Sequence, residues 1–162
     1  MAEPKVLELE NEIKKRHTIL TAYNSEDHTY NHTGSNRDLV EPILLGSFEG
    51  SENEHLTYEN NGIKIGKGVN HVNIKATAII RLANNDQRGD IYVSMRKNGN
   101  NIGESNFYHQ GYEPYSYSLF RNYLEVKEGD IIQLYIQGAD MDINILDNPD
   151  IRKTQLSVEV AD

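Results

Sequence analysis

The chain has 162 residues, a formal net charge of −9 from 25 acidic and 16 basic side chains, 37% hydrophobic residues and no cysteine. That length suits one domain with a real core. The acidic balance excludes nucleic acid and an anionic membrane surface as partners, because both need a basic face, and the lack of cysteine excludes a disulfide framework and thiolate metal ligation. No window approaches a membrane-spanning run. The opening Met-Ala-Glu-Pro-Lys does not read as a signal peptide, so the expectation is a protein that is made in a reducing cytoplasm or is indifferent to redox.

Residues 5–23 read as the one helix. Val6, Leu9, Ile13, Leu20 and Tyr23 fall at a/d spacing, Arg16 interrupts the seam, and Glu8, Glu10, Glu12, Lys14 and Lys15 flank it. Val6, Leu9, Ile13 and Leu20 are therefore expected to serve oligomerisation, the alternative being a surface helix packed on its own domain. Residues 24–38 are polar and aperiodic and read as a linker, which divides the chain into a helix and arm over 1–38 and a head domain over 39–162. His28 and His32 lie in that linker with no helix to align them and no third ligand, so no metal site is expected. The acceptor-like Asn31-His32-Thr33 carries no weight without a secretion signal.

From residue 39 the pattern is strand and turn. An apolar run over 43–48 ends at Gly50-Ser51, and Asn60-Asn61-Gly62 before Ile63-Lys64-Ile65 signals a hairpin. Residues 69–82 are the longest alternating stretch. Val72, Ile74, Ala76, Ala78, Ile80 and Leu82 take every second place and predict one buried face, with Asn73, Lys75, Thr77 and Arg81 on the other. Ile79 is the apolar exception on the wet face and is expected to be covered in an assembly. Residues 90–97 alternate Ile91, Val93 and Met95 with Tyr92, Ser94 and Arg96, and Asn98-Gly99 turns the chain back. Residues 109–115 read as a loop and 115–126 as a long strand with Tyr117, Leu119 and Arg121 on one face. Residues 132–136 and 156–160 close the pattern. No helical segment separates these strands, so βαβ units are excluded. The expectation is an all-β, antiparallel jelly-roll β-sandwich with a short N-terminal helix or arm.

Four segments carry a resemblance: Tyr58-Glu-Asn-Asn-Gly-Ile-Lys-Ile-Gly-Lys-Gly68, the long strand over 69–82, Ile91-Tyr-Val-Ser-Met-Arg-Lys-Asn-Gly99, and Leu124-Glu-Val-Lys-Glu-Gly-Asp-Ile-Ile-Gln-Leu134. In order and spacing the chain resembles the tumour necrosis factor-like jelly roll, the fold of complement heads and collagen-like trimers, over about residues 40–160. It departs where Val69, Asn70 and His71 stand in place of aromatic residues, and where residues 154–160 lack an aromatic-glycine pair. The resemblance implies a symmetric homotrimer with one sheet against the three-fold axis. Cysteine-free heads of this kind occur on bacteriophage fibres, spikes and baseplates. It thus implies a virion structural protein, assembled in the host cytoplasm and joined to other virion proteins through its N-terminal arm.

The remaining candidates are weaker. Tyr108, His109, Gln110, Tyr112, Tyr115 and Tyr117 offer aromatic faces and amide and hydroxyl groups suited to a host cell-surface glycan, although tyrosine equally favours loop packing and subunit contacts. A monomeric, lectin-like carbohydrate-binding jelly roll is therefore the alternative reading. Asp140, Asp142, Asn144, Asp147 and Asp150 begin like a calcium loop, but Ile145 and Ile151 stand where glycine and a bidentate glutamate are needed, so a solvated acidic segment is expected. No nucleophile elbow, zinc-binding pair or phosphate loop is present, so no catalytic residue, metal, cofactor or enzyme activity is expected.

Overall fold

The computed structural model describes residues 4–32, 40–50, 52–138, 141–146 and 154–162. Among these residues, helix α1 (Pro4–Arg16) is followed by β1 (Ile19–Tyr23), β2 (His28–His32), β3 (Val40–Pro42), β4 (Ser47–Gly50), β5 (Leu56–Glu59), β6 (Gly62–Ile65) and β7 (His71–Leu82). Then come β8 (Arg88–Lys97), β9 (Asn100–Gln110), β10 (Tyr115–Glu125), β11 (Ile131–Gln137), β12 (Met141–Ile145) and β13 (Gln155–Val160). They build two antiparallel sheets. The larger runs β2-β12-β7-β13-β1-β4, with β10 on the free edge of β7, and the smaller runs β5-β6-β11-β8-β9, with β3 on β11. The expected antiparallel jelly-roll sandwich with a short N-terminal helix is the architecture observed.

The core lies between the sheets, and β7 supplies its centre. Val72, Ile74, Ala76, Ala78, Ile80 and Leu82 are buried, as their alternation predicts, and meet Ile91, Val93, Met95, Ile132, Leu134 and Ile136 from the smaller sheet. Two tight hairpins set the register of the smaller sheet. Asn60 and Asn61 both have positive φ (51° and 60°), as do Asn98 and Gly99 (52° and 81°), the geometry of a type I′ turn that asparagine and glycine tolerate best. Gly62 lies just outside its turn, paired with Glu59. Its missing side chain leaves room for β11, since a Cβ there would collide with the Ile132 carbonyl.

The first forty residues differ from expectation. The helix ends at Arg16, not Tyr23. His17 and Thr18 close it with N–H bonds to Ile13 O and Lys15 O, and the Thr18 hydroxyl donates to Lys14 O. Residues 19–23 then alternate Ile-Leu-Thr-Ala-Tyr, and their edges fill the gap between β13 and β4. Leu20 is fully buried in the core, so it cannot belong to an oligomerisation seam. The stretch read as a linker also contributes a strand. β2 pairs with β12, and the buried Tyr30 hydroxyl accepts the Leu44 N–H at 2.7 Å and donates to Pro42 O at 3.1 Å. Burial, only partly offset by the Leu44 bond, pushes that phenol up to about 12.

One strand reading is also corrected, and another gains a bulge. β9 continues through Gln110, so the loop between it and β10 is shorter than the expected 109–115. Arg121 keeps the phase of Tyr117 and Leu119, opposite Ile74 as they are opposite Ala78 and Ala76, but it lies exposed. A register shift between Arg121 and Leu124 then inserts a β-bulge, which returns Leu124 to the core.

The edge of β7 opposite β10 changes partner along its length. β13 covers Val72 to Thr77, and β12 covers Ile80 to Leu82. Ile79 sits at the junction. Its carbonyl accepts the Leu146 N–H at 2.9 Å, and its N–H donates to the Thr154 hydroxyl at 3.2 Å. Thr154 is fully buried, so its side chain completes a backbone ladder that would otherwise leave a buried donor unpaired. Thr154→Val is expected to cost about 1–3 kcal/mol in a denaturant titration, the penalty of an unsatisfied buried group. Thr154→Ser should recover most of it.

Candidate functional site

The six residues that suggested a sugar site do not share one surface. On β9, alternation puts Phe107 and His109 on one side and Tyr108 and Gln110 on the other. His109 is fully buried beside Tyr117, and Phe107 lies against Tyr115 and edge-on to Tyr117 with centroids 5.6 and 4.8 Å apart. The His109 ring lies 4.4 Å from that of Tyr115. These four rings plug the sandwich between β9 and β10. Tyr108 and Tyr112 remain exposed. Gln110 accepts from Arg88 Nη1 at 3.4 Å, and the Arg81 guanidinium lies 5.7 Å from the Tyr112 ring centroid. The arrangement offers two exposed tyrosines and an amide beside an aromatic cluster of which His109 and Tyr117 are enclosed and Phe107 is 38% exposed.

The buried part has a defined protonation state. The Tyr117 hydroxyl donates its one hydrogen to Ile91 O at 2.8 Å, so the 2.8 Å contact with His109 Nε2 requires the hydrogen to sit on that nitrogen. His109 Nδ1 is then a buried lone pair with no hydrogen-bond partner among the described residues. A second proton there would find no acceptor. Burial accordingly pushes His109 down to about 4, from an ordinary 6.5, and pushes the Tyr117 phenol well above its ordinary value. This histidine is neutral and enclosed, and so is not placed to act as a base on a ligand.

The outer face of the larger sheet is a second candidate, and sequence reasoning missed most of it. Ile19, 48% exposed, and Phe120, 62% exposed, border a cleft of about 420 Å³ whose floor includes Asn73, Lys75, Thr77 and Ser157. Beside it the β-bulge holds Tyr123 at φ 53°, in the left-handed region, where a non-glycine residue costs roughly 1–3 kcal/mol. The Tyr123 N–H donates to Asn73 Oδ1 at 2.8 Å, and its ring stacks on His71 with centroids 4.0 Å apart and planes 5° from parallel. Ile79 is half-buried on the same face. Phe120 was legible as an apolar residue at a wet position of its strand. Ile19 was hidden by its assignment to the helix.

Val6, Leu9 and Ile13 lie exposed on α1. His28 is on β2, edge-on to Tyr30 at 4.6 Å. Among the described residues no group of three or more His, Asp or Glu side chains is arranged to hold a metal. Asp142 and Asn144 belong to β12, where Asn144 accepts from Thr29, whereas Asp140, Asp147, Asp150 and Ile151 lie outside the described residues.

The His109 geometry sets a pH dependence. The native state takes up the His109 proton only near pH 4 and the unfolded chain near 6.5. Between those values the unfolded state binds more protons, so this contribution is present above about 6.5 and is lost as pH falls toward 4, with a size on the order of 1–3 kcal/mol. Urea titrations at pH 7 and pH 5 should show the loss. His109→Gln, which keeps a donor for Tyr117, should flatten the difference between the two.

No protein-family model matches the chain, and no curated protein matches it in sequence. Solved structures do match in shape. Eiger TNF from S. frugiperda superposes with a TM-score of 0.58 at 10% identity, over 89% of this chain and 91% of that one. Murine APRIL superposes with TM-scores of 0.53 at pH 8.5 and 0.55 at pH 5.0, at 13% and 12% identity, over 90% of this chain and 99% of each APRIL chain. At such identities the likeness is one of fold, and it agrees with the resemblance read from the sequence: the chain folds as a tumour necrosis factor-like jelly roll.

Proposed function

We propose that the chain is a non-enzymatic virion structural protein of a bacteriophage, the trimeric head domain of a fibre, spike or baseplate. One observation carries the association. On a tumour necrosis factor-like jelly roll, the outer face of the larger sheet exposes Ile19 and Phe120 beside a half-buried Ile79. Covering a side chain such as Phe120 is worth about 1.5–3 kcal/mol, and cyclic symmetry multiplies that gain at each contact. Three copies with this face toward a common axis would cover all three residues.

The virion setting rests on the family habit of cysteine-free heads, and this chain has no cysteine. In this reading the protein assembles in the host cytoplasm and joins other virion proteins through its N-terminal region. Its Tyr108, Gln110 and Tyr112 end is the surface available to a host glycan. The exposure of those two tyrosines also supports the alternative, a monomeric carbohydrate-binding module, and the two readings part on molecular mass.

Light scattering on the full chain at micromolar concentration should give three times the 18.5 kDa chain mass. Phe120→Glu should shift it to monomer with an unchanged circular dichroism spectrum, because Phe120 lies outside the core. A monomeric wild-type chain would sink the trimeric reading. Mass spectrometry of purified phage particles tests the setting, with the chain expected among the particle proteins.

A further inference from the structure

Helix α1 has a side turned to the head and a side turned away from it. Asn11 and Lys15, one turn apart, border a depression shared with Glu54, His55 and Lys67, and Lys15 Nζ lies 3.4 Å from an Asp162 carboxylate oxygen. Burial raises that carboxyl, but bonds from the His71 and Asn70 N–H groups and the Asn70 amide, with the Lys15 charge, outweigh it and hold Asp162 below its ordinary range. That contact turns the Asn11 and Lys15 side of the helix toward the head. Val6 and Leu9 fall on the other side, 45% and 64% exposed, and Ile13, 58% exposed, stands at its margin beside the cleft below the helix. A helix of thirteen residues is marginal in water by itself, and among the described residues none encloses this stripe.

The stripe continues into the sheet face. Ile13 and Ile19 border the same cleft of about 900 Å³ below the helix, and Ile19 borders the outer-face cleft with Phe120. One flanking pair is also complementary in charge. With Val6 and Ile13 at a positions and Leu9 at d, Lys5 and Glu12 occupy g, and Glu10 and His17 occupy e. In parallel helices a g residue faces the e residue five places on in the neighbour. Lys5 then meets Glu10.

We propose that α1 packs on α1 of the other copies in a parallel bundle, with Val6, Leu9 and Ile13 inward and Lys5–Glu10 pairs across its flanks. The proposal rests on the trimeric reading, since cyclic symmetry makes the copies parallel. A seam this short holds because the associated heads keep the helices at high effective concentration. Arg16 at the next d position, followed by the turn into β1, ends it.

Cysteine cross-linking of the full chain tests this, because the chain has no cysteine of its own. Leu9→Cys lies on the seam, and Leu7→Cys, also exposed, lies off it. Under mild oxidation the trimer of Leu9→Cys should give disulfide-linked pairs at least tenfold faster than that of Leu7→Cys. Lys5→Glu added to Leu9→Cys should slow the reaction several-fold, and Lys5→Glu with Glu10→Lys should restore it. A trimer in which Leu9→Cys cross-links no faster than Leu7→Cys overturns the bundle and leaves the trimer standing. Lys5→Glu without effect, or not rescued by Glu10→Lys, overturns the flanking pairs. A monomeric wild-type chain overturns bundle and trimer together.

Discussion

Both edges of β7 must be hydrogen-bonded for the larger sheet to exist, and one of those edges is shared by two strands. β10 covers one side almost throughout, while β13 and β12 divide the other and meet at Ile79. The Thr154 hydroxyl and the Leu146 N–H close that junction. Everything outward follows from this arrangement. β13 carries β1 and β4, β12 carries β2, and the inward side chains of all of them complete one core. The outward side chains of the same strands form the face that bears Ile19, Ile79 and Phe120. A junction that holds the ladder straight also keeps that face continuous.

Strand phase divides the aromatic residues in the same way. His109 and Tyr117 point inward and are fixed by one hydrogen-bond chain ending on Ile91 O, whereas Tyr108 and Tyr112 remain in solvent. The β-bulge at Tyr123 changes phase on β10. It returns Leu124 and Val126 to the core and sets an aromatic ring on His71 at the outer face. One strand thereby serves the core at both ends while presenting Phe120 and Tyr123 outward.

Period-two patterning made the sandwich legible. The buried sides of β7, β8 and β11 and the two asparagine-rich hairpins all stand where alternation and turn chemistry put them. The failures have physical causes. Leu20 and Tyr23 fit a heptad by spacing, but residues 19–23 are equally alternating, and the vacant edge of β13 decides between the two periods. Tyr30 and its polar neighbours carry no periodic signal, and tertiary hydrogen bonds alone make them a strand. The bulge after Arg121 was missed because a bulge has no signature in alternation. The six-residue aromatic group failed as a surface because adjacent strand residues face opposite ways, which separates His109 from Tyr108 and Gln110.

The central claim is that the outer face of the larger sheet is where copies of this chain meet. Hydroxyl-radical footprinting of the full chain, read residue by residue at high and low concentration, tests it most directly. Phe120 should be strongly protected at high concentration and become reactive on dilution, while Tyr108 and Tyr112 stay reactive throughout. Phe120 labelling as fast as Tyr108 in the associated protein would contradict the account.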